Sequence, residues 1–404
     1  MTVHAEAPPV ERARLAIYGL FASFGILLST WAVHLPLLKH EVGMSTSMMG
    51  TMLLLLGVGS ITGMQFTGIV IDRFGGEAIA VLGGAAMALA LSVPLAAHSL
   101  GHALWGALLF GVTAGVADVA MNAASVNVQR DYGRPIMASF HGTFSVGTVI
   151  GSLCGAAGFA LGLEGKAATL AVGAGCLLVV GCAGVGLRGR YRNDRSTQQE
   201  DAPRTLALTK WSHRRHVLVL GILAFFLLLC EGSAMDWASL HAQQRLGASS
   251  AVGALTVASF LGAMMLSRFT IDRVTGRIGA VRVLRIGSLV AAVGILIVIA
   301  SPSIPLLVCG WIVFGLGLAV GVPQVFTAAG NLGSGRSGRD LSRVVGVGYV
   351  AIMAGPAITG WSIELVSWTG AFLVPLTAVL ACVVGASAVG SRGERLQLAT
   401  SDRR

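Results

Sequence analysis

Apolar residues run along this chain in unbroken blocks of about twenty, separated by short polar or basic turns. The blocks do not alternate polar with apolar positions, as the strands of a membrane barrel do. Blocks of this length predict membrane-spanning helices, since a helix satisfies its own backbone groups in hydrocarbon. Twelve are predicted, near 15–38, 46–71, 78–98, 102–127, 136–163, 167–187, 216–240, 250–270, 281–301, 304–329, 343–366 and 369–391. The one long polar connection, 188–215, is rich in Arg, Asp, Gln and Ser and falls between the sixth and seventh segments. The expected fold is therefore an all-α membrane protein. Its twelve transmembrane helices form two six-helix, pseudo-symmetric halves, 1–187 and 216–404, joined by a cytoplasmic linker at 188–215.

Motifs repeat between the halves. Ile71-Asp72-Arg73 at the end of the second segment recurs as Ile271-Asp272-Arg273 in the eighth, and Gly111 and Gly115 in the fourth match Gly315 and Ala319 in the tenth. Parallel repeats of this kind predict a solute site near the bilayer midplane. Composition agrees with lipid as the main solvent. Of 404 residues 54% are hydrophobic and 11% charged, with mean hydropathy +0.78, whereas about a quarter of the residues in a soluble domain are charged. The net charge of +10 suits a nucleic-acid partner only until its distribution is read. With the N-terminus in the cytoplasm, only Lys39, Lys166 and Arg245 of the 28 lysines and arginines fall in external loops. The positive charge is thus a topology signal. It predicts a multi-pass protein of the cytoplasmic (inner) membrane, with both termini cytoplasmic and no nucleic-acid partner. The six cysteines lie in apolar segments without ligand spacing and read as small buried hydrophobes. The block from Leu15 to Leu38 is longer than a signal-peptide core and reads as a retained first span.

Two adjacent segments carry polar stripes. Asp118, Asn122, Ser125 and Gln129 recur at i, i+4, i+7 and i+11 and share a helix face; His141, Ser145, Thr148 and Ser152 repeat the spacing in the next segment. Asp118 precedes Arg130 by 12 residues, roughly 18 Å along a helix and close to the middle of a hydrocarbon core about 30 Å thick. An ionisable group there is costly and ordinarily faces a cavity or a polar partner. Asp118 is the first candidate for proton coupling. His141, which titrates near neutrality, and Glu231, roughly 24 Å beyond Arg215, are the others. Each also has a structural reading, as helix–helix glue or as a group bonded to neighbouring backbone. Candidates for binding the solute are Asn122 beside Asp118, Trp31 and His34 in the first segment, Gln324 and Asn331 in the tenth, and Tyr349 in the eleventh. Trp31 and Tyr349 offer stacking faces for a sugar or another planar ligand, although aromatics in apolar helices more often pack. No lysine or arginine is expected deep in a span, which favours a neutral solute over an anion.

The twelve segments, the central connection and the loop motif Gly68-xxx-Asp72-Arg73-x-Gly75 resemble the major facilitator superfamily over essentially the whole chain. Gly76 and Glu77 stand where that motif commonly has basic residues, and Arg268 stands at the glycine position of its second copy. Within the superfamily, four groups of residues resemble the fucose-permease-related branch of bacterial members: Asp118-Val-Ala-Met-Asn122; Arg134-Pro135 with Ser139-Phe140-His141-Gly142; Glu231-Gly232 with Asp236-Trp237; and Gly355-Pro356 with Gly360. Fucose permease has an acid-x-x-x-Asn pattern in its fourth span. The resemblance therefore implies that Asp118 couples proton movement to uptake and that Asn122 hydrogen-bonds the solute. A second acid of that permease, in its first span, has no counterpart in Trp31-Ala-Val-His34-Leu-Pro36. The resemblance also implies that Gly68, Asp72, Arg73, Asp272 and Arg273 are gating residues, which latch the cytoplasmic side in the outward-open state.

These readings combine into a monomeric secondary transporter working by alternating access. It is expected to move a small polar, neutral, sugar-like solute in symport with protons, with the lipid bilayer as its solvent. Proton-driven efflux of a drug or natural product is the alternative. No nucleophile with its base and no metal-ligand motif such as HExxH occurs in the spans, so neither enzyme activity nor a cofactor or metal is expected. The stretch from Gly330 to Ser337 imitates a phosphate-binding loop with Arg336 for lysine, but no strand precedes it, and it reads as a cytoplasmic loop.

Overall fold

The computed structural model describes residues 10–44, 46–160, 165–188, 210–248, 250–332, 337–365 and 368–390. The core of the expected linker (189–209) and residues 333–336 of the glycine-rich turn lie outside the described residues, as do the side chains of Asp236 and of 353–365. No strand occurs among the described residues. The helices are α1 (Val10–Val42), α2 (Thr46–Phe74), α3 (Gly76–Ala90), α4 (Ser92–Leu95), α5 (Leu100–Tyr132), α6 (Met137–Ala160), α7 (Gly165–Leu187), α8 (Lys210–Leu246), α9 (Ser250–Ile278), α10 (Ala280–Ala300), α11 (Ile304–Leu318), α12 (Gly321–Gly330), α13 (Ser337–Leu365) and α14 (Trp368–Gly385). Ten stretches of the described residues are long and apolar enough to cross a membrane. α6 and α13 supply helix over the two remaining expected segments.

Local chemistry sets the helix ends. Ser99 caps α5 by accepting from His102 N–H, and Gly133, with φ 73°, ends it by returning its N–H to Gln129 and Arg130. Two segments expected as single helices are broken. Leu91 separates α3 from α4, which carries Pro94 in its single turn, and Ala319 and Val320 separate α11 from α12, which carries Pro323 in its first turn. A proline in a first turn has no N–H to lose, so a new helix starts there more readily than the old one continues.

The helices gather into two compact units. The first holds α1–α5, α7, α6 from Thr143 onward and the start of α13 through Arg343. In it α5 packs on α2 and α3, and α7 packs on α1 and α3. The second holds α8–α12, α14, the rest of α13 and the start of α6 through Gly142. In it α11 packs on α9 and α10, and α14 packs on α8 and α10, so the same order of pairing recurs.

Register repeats as well. Gly111 and Gly115 of α5 press on the carbonyls of Leu56 and Ser60, and Gly315 of α11 presses on the carbonyl of Phe260. A methyl group at any of them would overlap those oxygens, so glycine is what lets the helix backbones touch. Gly75 (φ 90°) and Gly279 (φ 85°) make the same left-handed turn into α3 and α10.

Candidate functional site

Helix α5 carries its polar stripe into the interior of the first unit. Asp118 is 4% exposed, and Asn122 and Ser125 are fully buried. Asn122 Nδ2 donates to the Asp118 carbonyl (2.9 Å) and to Asp118 Oδ1 (3.1 Å), and Ser125 Oγ donates to the Asn122 carbonyl (2.7 Å). The i, i+4 spacing thus becomes a direct carboxyl–amide pair inside a candidate span, Leu100–Tyr132. Asn122 Oδ1 is buried with no hydrogen-bond partner among the described residues. The pair therefore offers a titratable oxygen next to an open acceptor.

A second polar network sits in the second unit. Arg268 of α9 is 4% exposed, and its Nη2 lies 3.4 Å from both Oε1 and Oε2 of Glu231 on α8. This corrects the expectation that no lysine or arginine lies deep in a span. Sequence alignment of the two Asp-Arg motifs put Arg268 at the position of Gly68. The packing keeps that alignment, but the helices end differently: Asp72 precedes Gly75 by three residues, whereas Asp272 precedes Gly279 by seven. Helix α9 thus runs one helical turn further past its motif, which leaves Arg268 roughly 15 Å from the end of the helix. The charge of Glu231 matches that of Arg268, so the pair as a whole is neutral.

Gln324 of α12, 5% exposed, donates to Thr275 Oγ1 of α9 (3.2 Å) in the same unit. His141, on the first turns of α6, stands beside Phe326 of α12 with ring centroids 6.0 Å apart. Its neighbour Gly142 packs on the Phe269 ring, where a Cβ would come within 2.9 Å.

The remaining candidates are scattered. Trp31 is 3% exposed with its ring against Phe110 (5.6 Å), and His34 Nδ1 is hydrogen-bonded to the Thr30 carbonyl (2.8 Å). Both are built into the helix packing of the first unit. Tyr349 is half-buried on α13. Asn331 does not share the buried face of Gln324: it is the exposed C-cap of α12, bonded through its N–H to the Thr327 and Ala328 carbonyls.

The two aspartates of the repeated motif each cap another helix. Asp72 Oδ1 accepts from Gly338 N–H (3.1 Å) at the start of α13, and its Oδ2 pairs with Arg339 Nε (3.2 Å). Asp272 accepts from Ala138 and Ser139 N–H (3.1 and 2.8 Å) at the start of α6. Helix N-termini carry unpaired N–H groups and partial positive charge, so a carboxylate is the natural cap. Gly68 makes the first cap possible, since a Cβ there would stand 2.7 Å from Ser342 Oγ. Arg73 and Arg273 are exposed, Arg73 over the Phe74 ring.

Sequence reasoning passed over Arg268, Thr275 and His241. The last is fully buried on α8, with its ring against Phe372 (4.7 Å). Counting back from Gly279 rather than forward from the Asp-Arg motif finds the depth of Arg268 and Thr275. Nothing in the spacing marks His241.

The family model described as Major Facilitator Superfamily matches residues 15–274 and 237–397. An uncharacterized MFS-type transporter of Yersinia pestis is 33% identical over 365 residues, 90% of this chain and 92% of its own. The membrane protein MosC of Rhizobium meliloti is 26% identical over 361 residues, 89% of this chain and 86% of its own. Among solved structures, the E. coli fucose:proton symporter FucP has a TM-score of 0.71 at 12% identity, covering 93% of this chain and 98% of that one. The human organic anion transporter MFSD10 has a TM-score of 0.68 at 18% identity, covering 94% and 100%. These two are likenesses of fold. The chain belongs to the Major Facilitator Superfamily, and is a multi-pass membrane protein of secondary transport and not an enzyme.

Proposed function

We propose that the protein moves a small polar, neutral, hydroxyl-bearing solute in symport with protons. The carrying observation is the buried Asp118–Asn122 pair inside a candidate span. A carboxyl group in lipid is stable when protonated or when bonded, and switching between the two binds and releases a proton. The open acceptor at Asn122 Oδ1 fits a solute hydroxyl. The likeness in fold to a fucose:proton symporter agrees with this reading, as does the resemblance of the Asp118–Asn122 motif to the fucose-permease-related branch. The neutral Glu231–Arg268 pair presents no uncompensated cation to an anionic solute.

In this proposal the chain has twelve spans in two six-helix halves, 1–187 and 216–404, with 188–215 as the cytoplasmic linker and both termini cytoplasmic. It works as a monomer by alternating access. Asp72 and Asp272 are the gating caps, with Gly68, Arg73 and Arg273 around them, and Glu231 and His141 are further proton-handling groups.

The test uses proteoliposomes loaded with a pH-sensitive dye and challenged with neutral sugars and polyols. A solute that moves protons with the wild-type protein and not with Asp118→Asn supports the proposal. Solute uptake that is equal in both, with no proton movement, refutes the role of Asp118.

A further inference from the structure

Two arginines converge on one tyrosine at one end of the first unit. Arg14 of α1 donates from Nη1 to the Tyr132 hydroxyl oxygen (2.7 Å), and Arg134, just past α5, donates from Nη2 to the same oxygen (2.6 Å). The Arg14 guanidinium also lies over the Tyr18 and Tyr132 rings (5.4 and 5.1 Å), and that of Arg134 over the Tyr132 ring (4.7 Å). Two like charges thus share one neutral oxygen. Among the described residues no ion pair joins either arginine to a carboxylate.

Accepting two hydrogen bonds fills the lone pairs of the phenol and leaves its own hydrogen to donate. No acceptor for that hydrogen is found among the described residues. The cluster is therefore a convergent set of donors, carrying two positive charges and lacking an anion. Guanidinium groups match the oxygens of phosphate in shape and charge. Arg14 stands near the start of the candidate span Val10–Leu35 and Tyr132 ends the span Leu100–Tyr132, which puts the cluster at headgroup level. Leu15, next to Arg14, is 69% exposed and gives an acyl chain an apolar surface.

We propose that Arg14, Arg134 and the Tyr132 hydroxyl bind the phosphate of an anionic phospholipid headgroup. Free phosphate has the same chemistry, and the test separates the two sources. The full chain is placed in nanodiscs of phosphatidylcholine, alone or mixed with phosphatidylglycerol, and its thermal unfolding is followed. Phosphatidylglycerol is expected to raise the unfolding temperature of the wild type. Most of that rise is lost in the Arg14→Gln, Arg134→Gln double variant. Tyr132→Phe keeps the ring, removes the donor and loses part of the rise. A control double variant, Arg282→Gln with Arg285→Gln, removes two exposed arginines of α10 and keeps the rise. An equal rise in the wild type and the Arg14, Arg134 variant overturns the proposal, as does an equal loss in the control. An equivalent rise with inorganic phosphate in phosphatidylcholine discs overturns the lipid assignment in favour of a free anion.

Discussion

Asp118 is buried with an amide against its carboxylate, and Arg268 is buried with a carboxylate against its guanidinium. The first was legible from the sequence because i, i+4 spacing fixes a helix face whatever the helix packs on. The second was not, since the depth of Arg268 depends on where the following turn falls. The two pairs also differ in what a substitution leaves behind. Asp118→Asn keeps shape and bonding capacity, so the protein is expected to fold and unfold as the wild type does while losing proton-coupled uptake. Glu231→Gln leaves Arg268 buried without its counter-charge, which costs about 3–5 kcal/mol where an ion pair is broken on one side only. That variant is expected to unfold at a lower temperature in detergent. Combining it with Arg268→Met, which removes the stranded charge, is expected to restore most of the loss. An additive or worse double variant would show that the two residues do not act as a pair.

At the scale of helices, the sequence marked most elements correctly, because continuous apolar blocks leave no rival to a helix in lipid. It ran 304–329 together where α11 and α12 are separate, since a break inside an apolar block changes neither length nor hydropathy. Contacts between helices were partly legible through glycine spacing. Gly115 presses on the Ser60 carbonyl, whereas nothing lies within 4 Å of a Cβ at Gly101, on the same helix. Gly115→Ala is therefore expected to destabilise the protein by about 1–3 kcal/mol through overpacking, while Gly101→Ala is neutral or slightly stabilising. Thermal unfolding of the two variants side by side checks this. The helix caps predict a further pair of effects. Asp272→Asn leaves one acceptor oxygen for the two N–H groups of Ala138 and Ser139, so one bond is lost, with an expected cost of about 0.5–2 kcal/mol, and the start of α6 frays. Amide hydrogen exchange at the first turn of α6 is the readout, and unchanged protection there would count against the cap.

Across the whole chain, the repeated order of helix pairing was legible as recurring motifs whose register holds in the packing, but the motifs do not show how far each helix runs past its copy. Ile71-Asp72-Arg73 and Ile271-Asp272-Arg273 hold the same place in the repeat, each aspartate capping a helix start, yet α9 runs a turn further beyond its copy than α2 does. The two caps consequently have different surroundings. Asp272 is 7% exposed and accepts from two backbone N–H groups, whereas Asp72 joins its backbone bond from Gly338 to an ion pair with Arg339, whose side chain is 38% exposed. Mobile ions weaken attractions between charges that reach water, within a Debye length of about 8 Å at physiological strength, and act far less on buried groups. The ionic strength of the adjoining solution therefore acts on the Asp72 cap and largely spares that of Asp272. Two aspartates that read as copies in the sequence become one salt-sensitive fastening and one salt-resistant one.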